Sequence, residues 1–158
     1  MSVAIFSTWT TYGTWLPGDP RGWFQRGRGL QDPDPVRWLE AALRMTESAC
    51  TLDRDQRQLV EQTVIDHCAI REWILHGVNC RSNHVHVVVT APGRRIEEPR
   101  EQFKAWCTRR LKARARAQPG PGTARANWWS ERGWDEYLDD EDALAEVVAY
   151  VVERQGAR

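Results

Sequence analysis

The sequence predicts one α+β domain in which helices cover one face of an antiparallel sheet, and three observations carry that expectation. Short runs rich in β-branched and aromatic residues recur at residues 3–11, 73–78, 84–90 and 136–138. Stretches with helical character lie between and after them. The order strand, helix, strand, strand, helix, strand, helix is that of a ferredoxin-like or RRM-like arrangement. At 158 residues the chain suits one core and is short for two, so residues 1–158 are read as a single domain.

Residues 3–11 form the expected first strand, closed by the turn formers Tyr12-Gly13 and Leu16-Pro17-Gly18-Asp19-Pro20. Residues 18–35 read as a loop that places Arg21, Arg26 and Arg28 beside Trp23 and Phe24. A short helix is expected over 36–45 and a longer one over 53–72, where Leu59, Val60, Val64, His67, Cys68 and Ile70 recur near helical spacing. The runs 73–78 and 84–90, joined by Asn79-Cys80-Arg81-Ser82-Asn83, suit an antiparallel hairpin. A helix over 101–117 must stop at Gln118-Pro119-Gly120, because proline cannot continue it. A short strand over 136–138 then leads into a last helix over 140–155, whose acid-rich first turn complements the helix dipole.

Composition excludes several classes. The longest apolar runs fall far below the roughly 18 residues of a membrane span, and the N-terminus lacks the charged start and cleavage site of a signal peptide, so a cytoplasmic protein is expected. The four cysteines form no Cys-x-x-Cys pair, which signals neither a zinc knuckle nor a redox dithiol. A formal net charge of zero hides segregation: Lys104, Arg109, Arg110, Lys112, Arg114 and Arg116 have no acid between them, whereas residues 135–142 carry six. The basic run reads either as a solvated helix face or as a surface that tracks phosphates. Nine tryptophans are many for this length, and those in polar or Arg-rich stretches, such as Trp128 and Trp129, are candidates for stacking on bases.

The chemistry concentrates in Asn83-His84-Val85-His86-Val87-Val88-Val89. A strand period of two puts both imidazoles on one face and Val85, Val87 and Val89 on the other. Two histidines so spaced are either a polar strand face or a two-ligand platform for a divalent cation that leaves room for a phosphate. Tyr150 flanks the apolar stripe of the last helix, a place that suits a rim residue or a nucleophile. Tyr12 and Tyr137 are its competitors, His76 is a candidate neighbour of the pair, and His67 reads as packing.

Three blocks together resemble the single-tyrosine HUH transposases, of the insertion-sequence-200 type and their REP-associated tyrosine transposase relatives. They are Thr8-Trp9-Thr10-Thr11-Tyr12-Gly13-Thr14-Trp15-Leu16-Pro17-Gly18-Asp19 with Arg21-Gly22-Trp23, the Asn83-His84-Val85-His86-Val87-Val88 string, and Ala149-Tyr150-Val151-Val152-Glu153-Arg154-Gln155. The resemblance implies an HUH endonuclease fold, Mg²⁺ or Mn²⁺ on His84 and His86, and Tyr150 as the nucleophile. It further implies cleavage of single-stranded DNA beside a hairpin at a repeat or transposon end, through a 5′-phosphotyrosine. Such proteins occur as homodimers and as monomers, and the sequence does not choose. From the basic run, the arginine-bearing loop and the tryptophans, Arg21, Arg26, Arg28, Lys104, Arg109, Arg110, Lys112, Trp128 and Trp129 are the expected DNA contacts.

One position departs from the pattern. Where relatives carry a Gln or Asn four residues after the tyrosine as third metal ligand, this chain has Arg154, which has no lone pair to offer. On an ideal helix Glu153 lies about 60° from Tyr150 and Gln155 about 140°, which favours Glu153 and leaves Gln155 the competitor if the helix end unwinds. The displaced ligand keeps open a decayed, non-catalytic single-strand binder, and a metal-dependent hydrolase is the third reading.

Overall fold

The computed structural model describes residues 2–120 and 124–153. Its elements in chain order are β1 (Ala4–Thr10), β2 (Trp23–Gln25), β3 (Gly29–Gln31), α1 (Pro35–Leu43), α2 (Arg54–Arg71), β4 (Ile74–Cys80), β5 (His84–Thr90), α3 (Glu98–Ala117), β6 (Trp134–Leu138) and α4 (Glu141–Val152). The main sheet is wholly antiparallel in the order β4-β5-β1-β6. With α2 and α3 as crossovers this is the ferredoxin-like order expected from the sequence. The 18–35 region, read as a loop, contains a small hairpin in which β2 pairs with β3.

Local chemistry explains the helix boundaries. Asp53 caps α2 by accepting from Gln56 N while Gln56 Oε1 accepts from Asp53 N, a reciprocal capping box. Asp140 caps α4 through Ala143 N, and acids fill that first turn. Gly18 sits at φ +87°, where a Cβ would lie 2.3 Å from Asp34 O, so the turn before the hairpin requires glycine.

Helices do not cover one face alone. α2 and α3 pack on the side of the sheet lined by Trp9, Val85, Val87 and Val89, together with Val60, Val64, Phe103 and Leu111. α4 lies on the opposite side, where Leu144, Val147, Val148 and Val151 meet Ala4, Phe6, Val88 and Leu138. The reason is Val88: alternation along β5 turns it away from its two valine neighbours, so this strand is apolar on both faces and needs two covers. Tyr150 and both histidines share the face that α4 covers.

Candidate active site

Register alone assembles the site. Antiparallel pairing aligns one row of residues across the sheet, Trp134 on β6, Thr8 on β1, His86 on β5 and Asn79 on β4. In the next row Thr10 stands beside His84. The two imidazole rings are 4.8 Å apart between centroids, and the Tyr150 ring lies 5.9 Å from that of His86. Phe6 lies against His86 at 5.5 Å, with Trp134 edge-on to Phe6. The two histidines and the tyrosine are therefore brought together within one chain. Tyr150 remains 45% exposed, so a substrate can approach the phenol from solvent.

Both imidazoles are held at Nδ1. His84 Nδ1–H donates to Asn83 Oδ1 at 2.7 Å, and His86 Nδ1 shares a 2.7 Å hydrogen bond with Thr8 Oγ1. Neutral rings protonated at Nδ1 carry the lone pair on Nε2, which is the arrangement a metal-binding histidine needs. Burial, reinforced by the charges of His84 and Arg81, pushes the His86 pKa down to about 4, so the ring is neutral at physiological pH. The donor set thus fits two ligands to a divalent cation. Glu153 forms the exposed C-cap of α4, and among the described residues no three His, Cys, Asp or Glu side chains form a metal-holding group. Arg154 and Gln155, the competing ligand, lie outside the described residues.

The rival assignments separate by face and distance. Tyr137 pairs with Ile5 and so turns to the α2–α3 side, away from the histidines. Tyr12 is bonded by Thr46 Oγ1 and accepts from Thr46 N at 2.9 Å; the side-chain bond first and the backbone bond second lower its pKa, and the pair ties it to the connection after α1. His76 falls at a bulge in β4 and bonds Thr90 Oγ1 at 2.7 Å, at the far end of β5 from His84, so it is no neighbour of the pair. His67 is buried between Trp73 and Phe103 and bonds Gln102, as a packing residue.

The expected DNA contacts divide into tied and open groups. Trp128 is 3% exposed: Tyr12 N donates to Trp128 O and Thr11 bridges Trp129, so the backbone turns Trp128 inward to the core and no base can stack on it. Trp129 is half-buried, edge-on to Trp9, with Nε1 donating to Thr108. Arg21 is clamped on Asp19 and lies over Trp15. Lys104 donates to Ser130 O and Arg132 O, and burial brings its pKa down to about 8. Arg110 pairs with Asp66, and Arg109 lies over Trp106. Arg26, Arg28 and Lys112 are exposed. A groove of about 1340 Å³ lies between the hairpin, α3 and the edge of the sheet, with Phe24, Arg26, Arg100, Lys104, Arg132 and Trp134 among its lining residues and Thr8 and Thr10 at β1 also lining it. Phe24 is 62% and Trp134 42% exposed. Thr8, Asn79 and Trp134 were not read from the sequence, since only the register reveals them as neighbours of His86.

No family model matches this sequence, and no curated protein matches it. Among solved structures the chain is similar to a REP-associated tyrosine transposase bound to a REP hairpin, at 14% identity and a TM-score of 0.55. That likeness covers 96% of this chain and 66% of the other, so this chain spans just under two thirds of that protein's length. It is also similar to the crystal structure of a candidate transposase from Deinococcus radiodurans, at 15% identity and a TM-score of 0.49, over 100% of this chain and 94% of that one. The resemblance read from the three sequence blocks is therefore borne out at the level of the fold.

Proposed function

We propose that this chain is a DNA-processing enzyme of the single-tyrosine transposase kind, acting on single-stranded DNA beside a hairpin through a 5′-phosphotyrosine. One observation carries the reading: Tyr150 lies ring to ring with His86, and His86 with His84, on the fold of a transposase that was solved with a REP hairpin. Tyr150 Oη attacks the scissile phosphorus, the bond to the 3′-oxygen breaks, the phenol proton leaves to solvent, and the departing oxygen takes up a proton as a 3′-hydroxyl. Reversal by a 3′-hydroxyl rejoins a strand without a further energy source. His84 and His86 are the residues that would hold Mg²⁺ or Mn²⁺, and the cation when bound would supply Lewis-acid polarisation of the phosphate. Glu153, the C-cap of α4, is the candidate that would complete that ligand set.

The strand path follows the open groups. Phe24 and Trp134 offer faces for bases in the groove, which Thr8 and Thr10 also line, and Arg26 and Arg132 in the groove, with Arg28 and Lys112 on the exposed surface, offer charges for phosphates. The ring contact between His86 and Tyr150 is made within one chain. No helix among the described residues is long and apolar enough to cross a membrane.

A second reading, a non-catalytic single-strand binder, draws on the finding that among the described residues no third His, Cys, Asp or Glu joins the pair. One experiment separates the readings. A labelled single strand carrying a hairpin is incubated with the protein and Mn²⁺ and run on a denaturing gel. A covalent shift lost in Tyr150→Phe supports strand transfer, cleavage without a shift makes the protein a hydrolase, and retention on a native gel without cleavage makes it a binder.

A further inference from the structure

Asn79 is a buried amide, 4% exposed, on the strand next to His86 and in register with it. Its Nδ2 donates to Val151 O at 2.9 Å, and its Oδ1 is buried without a partner. An unpaired buried carbonyl is unfavourable, so burial gives no reason for an amide where an aliphatic side chain of the same size would fit. The donor end does give one. The last four carbonyls of a helix have no intrahelical partner, and Val151 is among them in α4. The carbonyls of Ala149 and Tyr150 are taken by Glu153 N, whereas that of Val151 is met from outside the helix, by Asn79.

The same strand shapes itself to that turn at a second point. Gly77 lies two residues before Asn79 on the same face, and a Cβ there would stand 3.2 Å from Val152 Cγ2 and 3.8 Å from Val151 Cγ1. Glycine lets the turn approach β4 closely, and the amide then fastens it. The fastened carbonyl belongs to the residue that follows Tyr150.

We infer that Asn79 is a positioning residue for Tyr150: by tying the Val151 carbonyl to the strand row that holds His86, it fixes the spacing between phenol and imidazole. Its bearing on catalysis rests on the strand-transfer reading above, while the fastening itself does not. Asn79 touches neither substrate nor cation in this role. It acts through the helix, so its loss frees the last turn of α4 without disturbing the histidine pair or the groove.

The test uses the full chain with Asn79→Leu, which removes the donor and keeps the volume, and Asn79→Asp, which keeps the shape and replaces the donor with an acceptor. Hydrogen exchange by mass spectrometry on a peptide spanning 144–153 reads the fastening without reference to activity. At least fivefold faster exchange there is expected in both variants, with β1 and β5 peptides unchanged. The rate of covalent adduct formation at saturating hairpin DNA should fall at least tenfold while half-saturation stays at the wild-type value. A merely structural role predicts instead faster exchange throughout the sheet and weaker DNA binding. Wild-type exchange over 144–153 in either variant overturns the inference, and so does faster exchange with an unchanged adduct rate. If the wild-type protein forms no adduct, the functional proposal fails by itself, and the exchange data still decide whether Asn79 holds the helix. Should Asn79→Leu fail to fold, Asn79→Asp carries both readouts.

Discussion

Replacing Thr8 by valine removes one hydroxyl and nothing else of similar size, and the structure says what that hydroxyl does. Thr8 Oγ1 is the partner of His86 Nδ1 at 2.7 Å, and His86 is 8% exposed, so water does not readily replace it. Leaving a buried ring nitrogen unsatisfied costs about 1–3 kcal/mol. In a domain of this length each kcal/mol corresponds to roughly 2–4 °C, so Thr8→Val should lower the melting temperature of the metal-free protein by roughly 2–12 °C. The same change acts on the tautomer. With Thr8 Oγ1 accepting from Nδ1–H, the tautomer that leaves the lone pair on Nε2 is favoured; loss of the hydroxyl removes that preference and should weaken Mn²⁺ binding about 10–100-fold. Circular dichroism melts and electron paramagnetic resonance of free Mn²⁺ measure the two effects, with Thr8→Ser as the variant that retains both. If Thr8→Val melts within about 1 °C of wild type and binds Mn²⁺ with wild-type affinity, Thr8 does not orient His86 and the description of the cation site is wrong.

Acid should destabilise the metal-free protein through His86, whose pKa falls from 6.5 unfolded to about 4 folded. As pH drops below about 6.5 the unfolded chain takes up a proton that the folded chain refuses, so stability present at neutral pH is lost down to about pH 4, by about 3 kcal/mol for the full shift. Urea midpoints across that range check this, and His86→Gln should flatten the slope; an unchanged slope refutes it. Burial lowers the pKa of His67 as well, adding a smaller loss of the same sign. Trp128→Ala empties a core site and should cost about 3–5 kcal/mol, whereas Phe24→Ala should leave the melt unchanged and weaken single-strand binding about tenfold, read by fluorescence anisotropy. Equal effects of the two on stability would sink that division. Arg100→Met leaves Asp135 buried beside Ser7 without its cation, and a loss of about 3–5 kcal/mol is expected, largely recovered by adding Asp135→Leu. A denaturant titration that shows no recovery would mean the pair is not the cause.

How far the sequence was legible follows from the range of each signal. Strand alternation is a two-residue rule, so the shared face of His84 and His86 could be read directly, and the helix of Tyr150 followed from its apolar stripe. Which side of the sheet that helix covers depended on Val88, one residue within a run that also reads as a simple strand core. The tryptophans misled for a related reason. Trp128 sits in polar sequence, yet a bridge from Thr11 to Trp129 some 118 positions apart turns it inward, and no local pattern encodes that. Thr8 and Asn79 flank His86 only because three strands pair in one register. His76 shows the converse: a bulge in β4 shifts it out of the alternation that made it a candidate.

The two-sided packing of the sheet also bears on how such a chain can change. Most of its burial, with the large aromatics, lies under α2 and α3, where any set of apolar residues of suitable volume and alternation keeps the domain standing. The opposite side has a smaller core, of Ala4, Phe6, Val88, Leu138 and Val151, and besides packing it must keep the geometry of the histidine row. Mutational drift can therefore rewrite the first side almost freely while the second is constrained at a few points, which is how a common backbone plan can outlast nearly all sequence likeness, as at the 14% identity seen here.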